Sequence, residues 1–309
     1  MRILITGATG FIGSYIVEAL LAERHEVRAL VRKTSRTAAL KAQGVDLIFG
    51  DVADLKSLDA IEKKFDSIIH CAAYVADKNP EKLRTVNVVG TENICRLSLR
   101  LGVERLVYLS SVAVISGNEQ IPLTEDLPYS ATNLYGESKI EAEKKVLEYR
   151  KKGLRAAILR PPMVYGEGEP HLLRLILRLL KMRLLFLPNQ GMARWHLCYV
   201  RHVAEAARLA MHDERFLEGS FFAGDFEVLT CAEIFGLLAQ GIGAPAPILL
   251  SEKTTKLLRR IPILDKKLKF MLKDRVYDLA RITQAGFVPQ RTAQEALIQT
   301  ARWYAHGRG

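Results

Sequence analysis

A tyrosine and a lysine four residues apart are the first candidates for acid–base chemistry. Tyr135 and Lys139 lie in a segment with helical periodicity, so their side chains share one face. A phenol normally titrates near pH 10, but a nearby ammonium stabilises the phenolate and lowers that pKa. Ser110 and Ser111 end a predicted buried strand, at the carboxyl edge where open α/β sheets place ligands. Together these residues predict proton transfer to or from a substrate oxygen. The Tyr–Lys pair taken alone would also fit two residues at a common spacing.

Three glycines follow the first predicted strand, at positions Gly7, Gly10 and Gly13 of the run Gly-Ala-Thr-Gly-Phe-Ile-Gly. Glycines at a strand-to-helix turn let a pyrophosphate approach the amides at the helix N-terminus. Tight turns also use glycine for purely steric reasons. This triplet, however, lies between a strand and a helix at the start of a βαβ unit, and that context predicts a dinucleotide site.

The residues after the second predicted strand indicate which dinucleotide is bound. An acidic residue at that position would hold the ribose hydroxyls of NAD. The chain has Arg32, Lys33 and Arg36 there instead. A guanidinium can bind a 2′-phosphate through paired hydrogen bonds, whereas a carboxylate would repel it. We therefore favour NADP(H) over NAD(H), with a plain surface role for Arg32 as the alternative.

Short apolar strands alternate with amphipathic helices over the first half of the chain and must position these residues. The predicted strands are 2–6, 26–31, 45–49, 67–70, 105–109 and 155–159, and the predicted helices are 11–23, 55–63, 83–101 and 134–151. Such alternation implies parallel strands with helices on both faces. The sequence predicts an α/β fold with a doubly wound (Rossmann) parallel sheet.

After residue 164 the pattern changes to a smaller, mostly helical C-terminal lobe. We expect an NAD(P)-binding domain over 1–164, with part of 195–224 returning to it, and a substrate-binding lobe over 165–309. The predicted helices of the lobe are 172–182, 201–213, 230–241, 253–273 and 292–305, with strand-like pieces near 195–200 and 219–223.

Most of the net charge of +11 lies in one segment of this lobe. Residues 253–275 contain nine Lys or Arg against two Asp, a net +7, interleaved with Leu, Ile and Phe. A nucleic-acid binder would spread or stripe its charge over the whole fold, so we expect no nucleic-acid partner. The segment is either a solvated helix face or a surface that attracts an anionic substrate or an anionic membrane. We expect it to cover the substrate mouth.

The composition is that of a globular protein, with 49% hydrophobic and 26% charged residues, which excludes disordered classes. Four widely spaced cysteines exclude a disulfide framework and fit a reducing compartment. A buried-strand pattern begins at Met1 and no apolar run reaches the roughly 18 residues of a membrane span, so we expect a cytoplasmic protein. The histidines lack metal-binding spacing, and no metal site is expected.

Seven motifs follow one another over the first 166 residues. They are Gly7–Gly13, Gly50–Val52, His70–Ala73, Asn87–Thr91, Leu109–Ser111, Tyr135–Lys139 and Arg160–Gly166. This set and its order resemble the extended short-chain dehydrogenase/reductase family, in the NAD-dependent epimerase/dehydratase superfamily. The pattern is most similar to the branch of dihydroflavonol reductases and 3β-hydroxysteroid dehydrogenases.

The resemblance implies a role for each motif. Tyr135 would be the catalytic acid/base, Lys139 would lower its pKa and hold the nicotinamide ribose, and Ser111, rather than Ser110, would hydrogen-bond the reacting oxygen. Asn87 would have a structural or proton-relay role, or would cap a helix. The implied cofactor contacts are Gly7, Thr9, Gly10, Phe11, Ile12, Gly13, Arg32, Asp51, Val52, Ala72, Ala73, Tyr135, Lys139, Pro162 and Val164.

The implied function is an NAD(P)-dependent oxidoreductase that interconverts a ketone and a secondary alcohol on an apolar or lipid-like substrate. Family epimerases that act on nucleotide sugars commonly have Asn where this chain has Met163, and Val-Asp-Asp where it has residues 200–202, Val-Arg-His. Arg194 keeps such an epimerase or dehydratase open, because it lies near the position of their phosphate-binding arginine. A non-catalytic cofactor-sensing protein is a third alternative, and a homodimer also stays open.

Overall fold

This computed structural model describes residues 1–62 and 64–307. The strands are β1 (Arg2–Thr6), β2 (Glu26–Val31), β3 (Asp46–Phe49), β4 (Ser67–His70), β5 (Arg105–Leu109), β6 (Ala156–Arg160), β7 (Met163–Tyr165), β8 (Phe186–Leu187), β9 (Arg194–Tyr199), β10 (Phe221–Phe222), β11 (Val228–Thr230) and β12 (Ile248–Leu249). The helices are α1 (Phe11–Ala22), α2 (Ala38–Ala42), α3 (Leu55–Asp59), α4 (Pro80–Leu83), α5 (Gly90–Leu101), α6 (Leu134–Lys151), α7 (Leu173–Lys181), α8 (Val200–His212), α9 (Cys231–Gly241), α10 (Glu252–Leu258), α11 (Pro262–Leu272), α12 (Ala280–Gln284) and α13 (Ala293–Ala305). None of the helices in the described ranges combines the length and the apolar character that crossing a bilayer requires.

A parallel seven-stranded sheet forms the centre of the molecule, in the order β10-β6-β5-β4-β1-β2-β3. Its strands are apolar on both faces because helices cover both. Ile3 and Ile5 of β1 pack with α1 and α8 on one face, and Leu4 packs with α5 and α6 on the other. The predicted α/β class and doubly wound Rossmann sheet are confirmed.

The chain changes direction across the sheet at β1. It runs outward from β1 to β2 and β3, then crosses back to β4 and continues to β5 and β6. Thr6 and His70 are paired residues at the carboxyl ends of β1 and β4. Helices leave these two strands in opposite directions, so the strand ends border a crevice in which doubly wound sheets bind ligands.

The six predicted strands agree with the structure to within one residue at each end, but three predicted helices differ. The predicted helix 55–63 ends at Asp59, and Lys63 lies outside the described residues. The predicted helix 83–101 contains a π-helical segment, Arg84–Val89. The predicted helix 253–273 is two helices, α10 and α11, because Pro262 occupies the first turn of α11 and cannot continue a preceding helix.

The C-terminal lobe also contains small sheets that the sequence did not indicate. One has the order β11-β9-β7, and the other pairs β12 with β8. Strands of two or three residues are too short to show a periodic pattern, and only β9 and β10 were predicted as strand-like. Trp195 of β9 packs edge-on against Phe235 of α9, and α9 packs against α13.

After β9 the chain returns to the main sheet. Helix α8 packs against α1, and Phe221 of β10 pairs with Leu159 of β6. The apolar residues of α8 and β10 belong to the same buried cluster as those of β1 and α1. The segment from α8 to β10 therefore belongs to the main sheet and lies between β9 and β11 of the lobe, and α12 later returns to pack against β10.

A buried ion pair joins the end of β6 to α6, the helix that contains Tyr135 and Lys139. The Arg160 guanidinium donates to both oxygens of Glu143, at 3.0 and 2.7 Å, and the side chains are 5% and 0% exposed. Tyr129 donates a further hydrogen bond to Glu143 at 2.8 Å. Because these oxygens have several donors, the pair holds α6 against the sheet at a defined register.

Breaking this pair should destabilise the protein. Glu143→Gln leaves the buried Arg160 without a counter-ion, and removing one partner of a buried pair costs about 3–5 kcal/mol. We expect urea unfolding at pH 7 to show that loss in the free energy of unfolding. Glu141→Gln, on an exposed position of the same helix, is the matched control and should leave the midpoint unchanged. Equal midpoints for the two variants would contradict the assignment.

Candidate active site

The turn between β1 and α1 packs so closely against the end of β4 that two positions accept only glycine. Gly7 has φ +73°, and a Cβ on it would lie 2.7 Å from the backbone nitrogen of Ala72. A Cβ on Gly13 would lie 2.2 Å from the carbonyl oxygen of Gly7. Gly10 is the N-cap of α1, and no side chain of the described residues caps that helix. The first-turn amides therefore remain available to an anionic ligand.

A groove of about 290 Å³ runs along the carboxyl ends of β1, β2 and β4. Eight of the predicted cofactor residues line it, namely Gly7, Thr9, Gly10, Arg32, Asp51, Val52, Ala72 and Ala73. The other lining residues are Thr6, Leu30, Val31, Ser35, Gly50, Cys71, Tyr74, Lys82 and Val86. The fold thus gathers five separate segments of the chain around one elongated space.

Cations line this groove beyond the glycine turn. Arg32 is exposed, and its backbone N–H donates to Oγ of Ser35 at 3.2 Å. Lys82 lies 4.7 Å from the ring centroid of Tyr74, which also lines the groove. The carboxylate of Asp51 accepts a hydrogen bond from the amide of Ala53 at 3.0 Å, which fixes the side chain at the rim.

A buried chain of hydrogen bonds supports the floor of the groove. Thr91 donates to the carbonyl of Asn87 at 2.6 Å and lies 3.1 Å from Nε2 of His70, so that nitrogen carries the proton. Nδ1 of His70 then accepts from Thr6 at 2.7 Å, and Thr6 accepts from the amide of Ala72 at 3.1 Å. Burial, helped by the charge of nearby Lys139, lowers the pKa of His70 to about 3. The ring is neutral, and it aligns β1 with β4.

The side chain of Asn87 connects the groove to helix α6. Its amide bonds both backbone groups of Tyr74, accepting at 2.7 Å and donating at 2.9 Å. It also donates to Oγ of Ser138 at 2.9 Å, and Ser138 donates to the carbonyl of Tyr135 at 2.7 Å. Asn87 lies inside the π-helical segment, so it positions the wall of the groove relative to α6 and caps no helix.

Ser111 and Tyr135 come together beyond the end of β5. Oγ of Ser111 accepts from the amide of Ala113 at 3.1 Å, which orients it, and Tyr135 lies in the first turn of α6. Burial raises the pKa of Tyr135 to about 12, and a hydrogen bond with Ser111 partly opposes that rise. Oγ of the neighbouring Ser110 is buried and has no hydrogen-bond partner among the described residues. Ser111 is thus the serine that faces the phenol.

Lys139, one helical turn after Tyr135, is a deeply buried amine with 1% exposure. Its Nζ donates to the carbonyl of Leu109 at 2.7 Å and lies 4.3 Å from the ring centroid of Tyr108. Burial lowers the pKa of Lys139 to about 7, and the negative charge of Glu143 opposes that change. The amine is therefore poised between its charged and neutral forms near neutral pH.

The pKa of Tyr135 differs from the expectation based on sequence. The spacing predicts that Lys139 lowers it, whereas burial raises it to about 12 in this structure. The Lys139 amine donates to the carbonyl of Leu109. Burial also lowers the pKa of Lys139, so less of the amine is charged at neutral pH. A phenol with this pKa is protonated at neutral pH and is ready to donate a proton.

The sequence predicts no metal site, yet three side chains of metal-ligating type meet at the surface where α1 and α8 end. Donor atoms of Glu23, His25 and His212 lie within 4.8 Å of one another. Arg208 is 3.1 Å from Glu23, and the amino group of Met1 is 3.3 Å from Nδ1 of His25. These two positive charges oppose a divalent cation, and we assign no metal to the cluster.

Comparison with known proteins identifies the family. Residues 3–221 match the NAD dependent epimerase/dehydratase family. The chain belongs to this family.

Individual relatives of this family match the chain over most of its length. A provisionally named dihydroflavonol 4-reductase of Synechocystis sp. is 28% identical, over 98% of this chain and 94% of that protein. A 3 beta-hydroxysteroid dehydrogenase/Delta 5-->4-isomerase of Mycobacterium tuberculosis is 32% identical, over 68% of this chain and 60% of that protein. The structure of Thermus thermophilus UDP-glucose 4-epimerase in complex with NAD is 26% identical, covers both chains completely and has a TM-score of 0.79.

Membership of the epimerase/dehydratase family confirms the resemblance seen in the sequence and the prediction of an enzyme that depends on a nicotinamide dinucleotide. The residues of the groove fit such a cofactor. Gly7 and Gly13 exclude side chains where a pyrophosphate would approach, and the uncapped N-terminus of α1 offers its amides. Arg32, just after β2, supplies a cation to the lining of the same groove.

Some predicted positions lie outside the groove lining, and some lining residues were not predicted. The predicted contacts that do not line it are Phe11, Ile12, Gly13, Tyr135, Lys139, Pro162 and Val164. The unpredicted set includes Thr6, Ser35, Tyr74 and Lys82. Thr6 and Ser35 could have been found from their positions at predicted strand ends. The segment from Tyr74 to Lys82 has no periodic pattern, and only the fold brings it to the groove.

The depressed pKa of Lys139 should make stability depend on pH. An unfolded lysine titrates near 10.4, so between pH 7 and 8.5 the unfolded chain holds this proton more firmly than the folded protein does. Stability should therefore rise with pH in this window, by up to about 1.4 kcal/mol per pH unit from this group.

Lys139→Met removes that contribution. The free energy of unfolding of each protein is measured with urea and without cofactor. The value for the variant minus the value for the parent should decrease by up to about 2 kcal/mol from pH 7 to pH 8.5. An unchanged difference between the two proteins would mean that the buried amine does not titrate in this range.

Proposed function

We propose that the chain is an NADP(H)-dependent reductase or dehydrogenase that interconverts a ketone and a secondary alcohol on an apolar, lipid-like substrate. The observation that carries the proposal is the meeting of Ser111 and Tyr135 beyond β5. Asn87 bonds the backbone of Tyr74, which lines the groove, and is linked through Ser138 to the carbonyl of Tyr135. These contacts support a site in which the first turn of α6 lies beside the groove, on the side that would receive the nicotinamide.

The chain's own residues then handle the proton and the substrate oxygen. A bound nicotinamide dinucleotide supplies or accepts the hydride at carbon. In the reductive direction Tyr135 donates its phenolic proton to the substrate oxygen, and its high pKa keeps that proton in place until it is needed. Oγ of Ser111 donates a hydrogen bond to the same oxygen and stabilises the charge that develops on it. Lys139 would hold the nicotinamide ribose.

The preference for NADP(H) depends on Arg32 and Ser35. Both line the groove after β2, and the family position that would repel a 2′-phosphate has no carboxylate in this chain. A guanidinium donates paired hydrogen bonds to a phosphate, and a hydroxyl beside it adds a further donor. The exposed Arg32 is free to turn toward such a ligand.

An apolar substrate is supported by two positions in the lobe. Arg194 forms a two-point ion pair with Asp274, at 2.6 and 2.9 Å, and its backbone amide donates to the same carboxylate at 2.8 Å. A cation neutralised in this way is poorly placed to bind a sugar-nucleotide diphosphate. Met163 supplies an exposed thioether where an amide would serve such a substrate. The names of the dihydroflavonol and steroid relatives agree with an apolar substrate that carries a ketone or hydroxyl.

Substitution of the two hydroxyls tests the mechanism. Tyr135→Phe should lower kcat about 100- to 10,000-fold, because a positioned proton donor is lost. Ser111→Ala should lower it about 100- to 1,000-fold, because a donor to the developing oxyanion is lost. Ser110→Ala, which removes a hydroxyl without a partner, is the matched control and should retain activity. NADPH oxidation with a panel of apolar ketones is the readout, and full activity of Tyr135→Phe would refute the mechanism.

The same assays separate this proposal from the alternatives. A nucleotide-sugar epimerase would purify with bound NAD(P) and turn over a sugar nucleotide without net change in the cofactor. A cofactor-sensing protein would bind NADPH and turn over no ketone. The proposed reductase and the epimerase would both bind a small-molecule substrate. The homodimer, the lack of a nucleic-acid partner and the cytoplasmic location stay predictions from the sequence.

Charge reversal at Arg32 tests the choice of cofactor. Arg32→Asp should weaken NADPH binding about 10- to 100-fold and improve NADH relative to it, because repulsion replaces charged hydrogen bonds to the 2′-phosphate. Lys33→Asp makes the same charge change at the next residue, which does not line the groove, and should have little effect. Fluorescence titration of both cofactors decides the outcome. Equal affinities of the parent protein for NADPH and NADH would reduce Arg32 to a surface charge.

A further inference from the structure

Helix α11 exposes large apolar side chains to solvent although it belongs to a well-packed lobe. None of its residues is fully buried. Ile263 is 75% exposed, and Phe270, whose ring also packs edge-on against Trp195 at 5.7 Å, is still 49% exposed. The two lie on the same side of the helix because they are seven residues apart. Side chains of this size that remain in water forgo the free energy that their burial would gain. The face therefore has the character of a contact surface.

Lysines flank this apolar ridge on both sides. Lys266 lies on one side of the line from Ile263 to Phe270, and Lys267 lies on the other, as the angle of about 100° per residue requires. Both are exposed, and neither has an ion-pair partner in the described part of the chain. Lys269, by contrast, is paired with Asp265 at 2.7 Å. An apolar centre with cations along its edges is the pattern of helices that lie in a bilayer interface.

The neighbouring elements extend this surface. Helix α10 packs against α11, and the turn at residues 189–191 joins them to β12. The backbone N–H of Asn189 donates to Oγ1 of Thr255 in α10 at 2.8 Å, and that of Gln190 donates to the carbonyl of Leu250, just after β12, at 2.9 Å. The exposed apolar side chains of these elements are Phe186, Ile248, Leu249, Leu257 and Ile261. We call the surface of α10, α11, β8 and β12 the basic lobe face.

We propose that the basic lobe face docks on the surface of an anionic lipid bilayer. The 253–275 segment has a net charge of +7, which opposes a second copy of the same face. Nucleic acid would use the cations but would leave Ile263 and Leu257 in water. Anionic headgroups pair with lysines while acyl chains receive the apolar side chains, so a bilayer satisfies both halves of the surface.

Docking in this way would also bring the proposed site to the lipid. Lys273, just after α11, donates to the carbonyl of Ser116 at 2.7 Å, and Trp195 donates to the carbonyl of Lys273 at 3.1 Å. Ser116 lies five residues beyond Ser111 in the same loop. A substrate dissolved in the bilayer would therefore have a short path to the loop that contains the proposed catalytic serine.

Vesicle co-sedimentation of the full chain tests the proposal. Vesicles of phosphatidylcholine with phosphatidylglycerol should bind the protein, and vesicles of phosphatidylcholine alone should not. Lys266→Gln/Lys267→Gln should weaken binding about 25-fold, because each lysine near an anionic surface contributes about a factor of five. Ile263→Ser should weaken it about 10-fold through lost insertion. Binding of the parent should fall steeply between 0.1 and 0.5 M salt, over which the Debye length drops to about half.

The matched control is Lys41→Gln/Lys151→Gln, which removes the same charge from exposed lysines outside the lobe and should bind as the parent does. Equal losses for both double variants would mean that net charge alone attracts the protein, and would overturn the proposal. So would the absence of vesicle binding, or concentration-dependent self-association that Ile263→Ser abolishes. The assay needs neither substrate nor cofactor, so its failure leaves the proposed reductase activity untouched.

Discussion

The burial of the Lys139 amine is the constraint on which the arrangement of the site depends. A nearly dry amine must be hydrogen-bonded, and the carbonyl of Leu109 at the end of β5 provides the acceptor. The amine lies over the ring of Tyr108, and nearby His70 is neutral because burial, helped by the charge of Lys139, lowers its pKa. Glu143, one turn further along α6, supplies the opposing charge. Any shift of α6 along the sheet would break these contacts together.

Polar groups inside the molecule hold the strands and α6 in register, and apolar packing supplies the bulk of the burial. The chain from Ala72 through Thr6 and His70 to Thr91 joins β1 and β4 to α5 beneath the groove. The Arg160–Glu143 pair joins β6 to α6 on the other side of the site. Burying these polar groups costs free energy, and each network is stabilising only when all of its hydrogen bonds form. Both networks therefore favour one register of the strands and α6 over neighbouring registers. The phenol of Tyr135 depends on that register for its contact with Ser111.

The positive charge of the lobe is not distributed evenly over its surface. Asp265 pairs with both Arg259 and Lys269, and Asp274 pairs with Arg194, so the two acids of the segment are already engaged. The cations that remain lie beside exposed apolar side chains. Exposed apolar side chains in such a setting reduce solubility, and large patches of them are typical of surfaces that a partner covers.

The sequence by itself determined the sheet, the glycine turn and the catalytic candidates, because each depends on local signals. Strand ends, helix periodicity and glycine spacing are set by residues within a few positions of one another, so β1 and α6 were predicted with their exact bounds. The tertiary structure alone decided the pKa values, the solvent exposure and the partners of those residues. Burial by distant segments raises the pKa of Tyr135 that its neighbour four residues away was expected to lower. Arg194 meets Asp274 eighty residues along the chain, and Lys82 reaches the groove without any pattern that would place it there. Charge, solvation and partnership between remote residues depend on how the chain packs, and no local spacing contains that information.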